Sequence, residues 1–488
     1  MNKWFDYYKS QSKNKSGDIN KLFYLFAFVF IFALVFSIYP LYDDWGYLTA
    51  PNPDFTLADL LPGRDFWRPF DALFGAFMGL VPKLFPLLNH VVVVLGHVLN
   101  AVFLEAILKE FGLEPVWRKF TVYYYLFASA TWAVTVSPDG LNQAYSVLFG
   151  LIAIYIHLKR GGYSYLLWCL VALFWKESGI SWFYVIPILE AVVTAKTWKK
   201  FIGDSALIKK CVKQALLSTA VVGMYFLARF ALYGSVTLGS GTGRYKISLF
   251  SLSAIINTIT QFGSVGSGVD SIALLSNDKS PVLAVITIVL SVVFLIIVLG
   301  CLFSLIIKKQ HIFPLLGIAV CALGLAFPTI IIGRASEMNA YPVLCAVAAF
   351  YGFCLDRGQA GKKKMMIAGI CISLAFTISG AHKLAAIYDY GNRTEQVTEN
   401  IRKYYDNPSD KVLFIEMDYR EGYSVFSQTA LYGTYYGLSM RQYFSWEEIH
   451  RTEYRAKSEE DAAAYIQKHG KKYDLILLVR GENVEKIK

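Results

Sequence analysis

Eleven separate apolar runs constrain this 488-residue chain more than any other feature. They fall at 22–39, 85–108, 120–137, 142–158, 164–176, 179–195, 212–233, 281–307, 311–333, 337–355 and 365–381. Crossing the hydrocarbon core of a bilayer takes about 20 apolar residues in a helix, and most of these runs are close to that length. Composition agrees. The chain is 55% hydrophobic and only 17% charged, with a mean hydropathy of +0.43. A soluble protein of this length needs more polar surface, so the pattern predicts an all-α polytopic membrane protein with about 11 transmembrane helices.

The net charge of +11 does not point to nucleic acid, because the Lys and Arg residues cluster between the apolar runs. With the N-terminus inside, the inner loops carry 22 Lys and Arg, and the outer loops ahead of the tail carry eight. That asymmetry places residues 1–20 in the cytoplasm. An odd number of spans then puts the C-terminus outside. The first run is long for a signal peptide, and Tyr39-Pro40 is not a small-residue cleavage site, so it is read as a retained helix. All seven cysteines lie in or beside apolar runs, which leaves neither a disulfide framework nor zinc-ligand spacing. Aromatic residues make up 16% of the chain, as interfacial belts require.

Three parts follow: a cytoplasmic segment 1–20, a membrane domain 21–381 with outer loops at 40–84 and 234–280, and a polar extracytoplasmic tail 382–488. In the first outer loop, Phe55 to Leu61 and Phe70 to Leu80 read as short interfacial helices. The second is rich in Gly and Ser and reads as a mobile loop. The tail holds 16 Lys and Arg. Within it, Lys411–Asp418 and Asp474–Val479 read as buried strands, and Ser458 with Asp461 reads as the cap of a helix through Lys468. A small α/β domain is the expected result.

The residues suited to chemistry gather at predicted outer helix ends. Asp43 and Asp44 directly follow the first span, inside Tyr39–Tyr47. Adjacent carboxylates repel, so one holds its proton more tightly, and a partly shielded carboxylate can serve as a base. The cations Arg64, Arg68, Lys176, Arg229, Arg244 and Arg334 are embedded in apolar sequence, with Glu177 next to Lys176 and Glu337 close to Arg334. Charges in such places tend to be paired or functional. As a set they can clamp an anionic group such as a lipid-linked phosphate. In the second span, His90 and His97 share a helix face with Asn100 nearby. Hydrogen bonding between helices is the first reading of that face, with a substrate or metal role behind it.

Taken in order, these segments resemble the integral-membrane glycosyltransferases of the GT-C fold, the superfamily of protein O-mannosyltransferases and aminoarabinose transferases. The resemblance rests on Asp43-Asp44, on Arg68-Pro69, on Asn89, His90, His97, Asn100 and Ala101, on Lys176 to Gly179, and on Arg334 to Tyr341. It covers roughly residues 20–381 and leaves out the tail, which departs from the sugar-binding or repeat domains of some relatives. The resemblance implies a polyprenyl-phosphate sugar donor, a glycan, protein or lipid acceptor, and transfer with inversion at the outer face of the cell membrane. One of Asp43 and Asp44 would be the base. Arg68, Lys176 and Arg334 would stabilise the leaving phosphate, with Glu177 and Glu337 orienting these cations or contacting a sugar, and His90 and His97 beside the substrate. No cofactor is expected. Some relatives use a divalent metal, but no convincing ligand set is visible in the sequence. The rival class is a transporter or flippase of lipid-linked glycans, whose site would lie near the bilayer midplane. A scaffold protein would leave the outer-face charges unexplained.

Overall fold

The computed structural model of the chain describes residues 19–48, 56–61, 67–80, 87–233, 252–269, 281–332, 337–359, 361–419, 429–445 and 447–488. Each of the eleven apolar runs is helical there. The first part of the chain forms α1 (Lys21–Val35), α2 (Asp43–Leu48), α3 (Pro69–Leu80), α4 (Leu87–Glu110), α5 (Pro115–Phe127), α6 (Ser129–Thr135) and α7 (Gly140–Arg160). Next come α8 (Tyr165–Trp175), α9 (Trp182–Ala195), α10 (Trp198–Gly203), α11 (Ser205–Tyr233) and α12 (Leu252–Ser267). The membrane body ends with α13 (Pro281–Ile307), α14 (Ile312–Ile332), α15 (Glu337–Arg357) and α16 (Lys362–Arg402). Among the described residues, seven helices are long and apolar enough to cross a membrane, and Lys21–Val35, Tyr165–Trp175 and Ile312–Pro328 are shorter apolar helices. The chain is therefore built as a multi-pass membrane protein.

Two expected spans take a different form. The run 120–137 is split into α5 and α6 at Ala128, whose ψ of 143° is extended. The Thr131 hydroxyl donates to the Tyr125 carbonyl at 2.9 Å and bridges the break. The last run does not stop at 381, because α16 continues to Arg402, a length of roughly 60 Å at the helical rise. No proline falls between residue 381 and Arg402, Gly391 is accommodated within the helix, and Tyr390, Val397 and Ile401 stay buried on one face. The segment 234–280, read as a loop, holds α12 in its described part. The end of α12 is sunk in the bundle, where the hydroxyls of Tyr124, Tyr351 and Ser379 donate to the carbonyls of Val265, Gly266 and Gly268 at 2.7, 2.8 and 2.8 Å. Those bonds satisfy carbonyls that a buried helix end otherwise leaves orphaned. The interfacial helices expected at 55–61 and 70–80 correspond to a 3-10 turn at Leu57–Leu60 and to α3, while Phe55 lies outside the described residues.

Helices α4 and α7 lie side by side. A Cβ on Gly96 would come within 2.8 Å of the Tyr145 ring, and Asn100 donates to the Ala144 carbonyl at 3.0 Å. This pairing, with α6 leading into α7, fixes the end of the bundle where the charged residues collect.

The tail forms β1 (Lys411–Glu416), α17 (Ala430–Gly433), β2 (His450–Arg455), α18 (Glu459–His469), β3 (Leu475–Arg480) and β4 (Asn483–Lys486). The sheet order is β2-β1-β3-β4, with β1 parallel to both neighbours and β4 antiparallel to β3. The expected strands match β1 and β3. The Ser458 cap also matches, since its hydroxyl accepts from the Asp461 amide at 3.2 Å. β1 is buried on both faces, as a central parallel strand should be. One face packs on α18 through Leu413, Ile415, Ile476 and Leu478. The other packs on the end of α16, and Trp45 of α2 belongs to that core.

Candidate active site

The two neighbouring aspartates at the start of α2 take different positions. Asp44 is buried, with only 4% of its surface exposed. Its Oδ2 accepts from the Leu41 amide at 3.0 Å, and its Oδ1 accepts from the Ser137 hydroxyl at 2.5 Å and the Asp139 amide at 3.3 Å. Burial pushes its carboxyl up to about 7, against the pull of these hydrogen bonds. Asp44 thus ties the segment after α1 to the turn between α6 and α7. Asp43 is exposed.

The turn held by Asp44 is Ser137-Pro138-Asp139. Gly140 follows it because nothing larger fits, since a Cβ there would sit 2.0 Å from the Val134 carbonyl oxygen. Asp139 immediately precedes α7 and lies within electrostatic reach of Arg68, Asp71 and Lys176.

Arg68 sits at the start of α3 between two aromatic anchors. Trp67 stacks on Tyr225 at 5.0 Å and meets Phe174 at 4.9 Å, while Phe70 stacks on Trp175 at 5.4 Å. These contacts clamp the start of α3 against the end of α8. The Arg68 guanidinium can then form a two-pronged pair with Glu177, with Nη2–Oε2 at 2.7 Å and Nε–Oε2 at 3.0 Å. Lys176 ends α8 in extended backbone, which turns the chain into the 3-10 turn Glu177–Ser181. Gly179 permits that turn, because its Cβ would lie 2.5 Å from the Ala172 carbonyl oxygen. Among the described residues Lys176 makes no ion pair, and Asp139, Arg68, Glu177 and Asp71 are the charges around it. Asp71, in the first turn of α3, has a buried carboxylate oxygen without a hydrogen-bond partner, and burial raises its carboxyl to about 7. Arg229 is buried on α11 beside Tyr225.

The histidines lie deeper. His97 is fully buried, with Nδ1 at 2.6 Å from the Tyr341 hydroxyl and Nε2 at 3.2 Å from the Leu126 carbonyl. Asn100 donates to the same Tyr341 hydroxyl at 3.1 Å. This network fastens α4 to α15, four residues past Glu337. His90 is buried in the first turns of α4, next to the Thr135 backbone. Arg64, Arg244 and Arg334 lie outside the described residues. Glu337 opens α15.

The structure therefore brings Asp44, Arg68, Lys176 and Glu177 to one end of the bundle and adds Asp71 and Asp139. Neither addition was singled out from the sequence. For Asp139 the signal was present, because Ser-Pro-Asp-Gly forms the turn between two apolar runs on the face where Lys176-Glu177 forms another. Among the described residues no three His, Cys, Asp or Glu side chains converge as a metal site.

A polytopic helical body followed by a small α/β domain, with acids and cations gathered at one end, has the architecture of the GT-C glycosyltransferase fold. The chain is similar throughout to the crystal structure of ArnT from Cupriavidus metallidurans bound to undecaprenyl phosphate. The TM-score is 0.51 at 13% sequence identity, over 95% of this chain and 96% of that one. The resemblance first carried by short motifs thus holds at the level of the fold and extends over the tail as well. No family model matches the sequence, and no curated protein matches it at the sequence level.

Proposed function

We infer that the protein is a membrane glycosyltransferase that moves a sugar from a polyprenyl-phosphate donor to an acceptor hydroxyl, with inversion, at the outer face of the membrane. The observation that carries this reading is the cluster of Asp44, Asp139, Arg68, Glu177 and Lys176 at one end of a GT-C-fold bundle.

In the reaction the acceptor oxygen attacks the anomeric carbon, a carboxylate takes the hydroxyl proton, and the glycosyl–phosphate bond breaks. Attack opposite the leaving phosphate inverts the anomeric centre. Asp43 is the exposed member of the acidic pair and is assigned as the base, while Asp44 positions it. Negative charge builds on the departing phosphate, and fixed cations stabilise that charge more in the transition state than in the ground state. Lys176, uncommitted to an ion pair among the described residues, meets the phosphate. Arg68 supports it from the Glu177 pair, with Arg334 assigned the same task. The excess of Lys and Arg in the opposite loops supports a cytoplasmic N-terminus and an extracytoplasmic C-terminus.

A thermal-shift measurement in detergent tests the phosphate assignment. Undecaprenyl phosphate should raise the melting temperature of the wild type, undecaprenol should not, and Lys176→Ala should lose most of the shift. An equal shift from the alcohol would show that the chain alone is recognised and would remove the phosphate role from this cluster.

A further inference from the structure

The C-terminal domain reaches into the segment that carries the acidic pair, and the contact is unusual in its backbone. Tyr42, immediately before Asp43, has a φ of +45°. Tyr435 and Tyr436 follow suit at +52° and +51°, and Gly437 at +81° completes a left-handed run. Bulky side chains rarely adopt this region, and such residues cluster where surrounding structure over-determines them.

Here the surroundings are specific. The Tyr42 ring stacks on Tyr432 with centroids 4.1 Å apart and planes at 10°, and its edge meets Tyr435 at 5.1 Å. The Tyr42 amide donates to the Gly433 carbonyl at 2.7 Å. Behind this contact, the Tyr436 hydroxyl donates to buried Glu416 at 3.3 Å and accepts from Arg455 Nε at 2.8 Å. Thr429 donates to the same Glu416 carboxylate, and Tyr390 on α16 donates to the Thr429 carbonyl at 2.8 Å. On the far side, Trp45 is buried in the core of the sheet domain. Asp43 thus stands between two residues held by the C-terminal domain, and its charge is felt at Tyr432.

We propose that Tyr432 and Tyr435 are positioning residues for the transfer reaction, and that through Tyr42 the C-terminal domain sets the placement of Asp43. This rests on the reading of Asp43 as the base. The Glu416–Arg455–Tyr436 assembly at the carboxyl end of the sheet gives the clasp its rigidity. Without the clasp, the left-handed turn at Tyr42 relaxes to ordinary backbone and Asp43 swings away from the turn that Asp44 anchors.

The test combines turnover of a radiolabelled polyprenyl-phosphate hexose with hydrogen exchange of the full chain in detergent. Tyr432→Ala and Tyr432→Leu, the second keeping apolar volume without the stack, should lower kcat at least tenfold with little change in the KM for donor. Tyr432→Phe should keep most activity. In the two impaired variants the peptide covering 39–45 should exchange at least tenfold faster, with the β1 peptide still protected. Unchanged exchange of 39–45, or unchanged kcat in both variants, would overturn the proposal. Asp43→Asn distinguishes the two layers. If that variant turned over normally while the exchange result held, the clasp would stand as structure and the base assignment would fall.

Discussion

Asp43 and Asp44 are adjacent in sequence but differ in environment, and their variants should therefore fail differently. Asp44 accepts three hydrogen bonds from two separated segments. Asp44→Ala leaves those buried donors unpaired and should lower stability by about 1–3 kcal/mol, read as a lower melting temperature in detergent. Asp43→Asn touches an exposed side chain and should leave the melting temperature within about 0.5 kcal/mol of wild type while removing turnover. Asp71 adds a pH effect. Its carboxyl rises from near 4 to about 7 on folding because burial disfavours the charged form, so the folded state holds a proton that the unfolded state has lost. Stability from this group is full below pH 4 and declines as pH rises toward 7, by at most ~1.4 kcal/mol per pH unit. Asp71→Asn should flatten that part of the melting-temperature profile between pH 4 and 7. A profile as steep as wild type would show that Asp71 is charged in the folded protein.

At the scale of elements, Gly140 lets α7 begin, and Gly179 lets the 3-10 turn after α8 form, where the charges are needed. A Cβ on Gly140 would meet the Val134 carbonyl oxygen at 2.0 Å, a backbone atom that cannot swing aside. Gly140→Ala should therefore displace Asp139, cost about 1–3 kcal/mol in thermal stability, and reduce turnover more than a surface Gly203→Ala control, which meets open space. Much of this architecture could be read from the chain. All eleven apolar runs are helical because hydrophobic length is a strong local signal, and among the described residues seven of the helices are long and apolar enough to cross a membrane. The strands at Lys411–Glu416 and Leu475–Arg480 were legible for the same reason. β2 and β4 were not, since His450–Arg455 is only half-buried at a sheet edge and Asn483–Lys486 is four residues long. In the site, Asp44, Arg68, Lys176 and Glu177 were found by their place at helix ends. The pairing of Arg68 with Glu177 spans 109 positions, and the clasp of Tyr42 by Tyr432 spans 390, so neither leaves a local pattern.

On the scale of the whole molecule, α16 links the membrane body to the tail in one continuous helix, and Trp45 links them a second time. The domain is thereby held against the charged end of the bundle. The loop charges predict an extracytoplasmic C-terminus, so a cysteine appended after Lys488 should react with an impermeant maleimide in intact cells. Labelling only after lysis would reverse the orientation. The central claim is that this end of the bundle transfers a sugar, and the most direct measurement follows label leaving a radiolabelled polyprenyl-phosphate hexose in membranes containing the protein. Wild type should release label from the lipid across a panel of donors for at least one sugar, and Asp43→Asn should not. If no donor were consumed and labelled lipid instead crossed between leaflets, the protein would be a transporter and the catalytic assignment would be wrong.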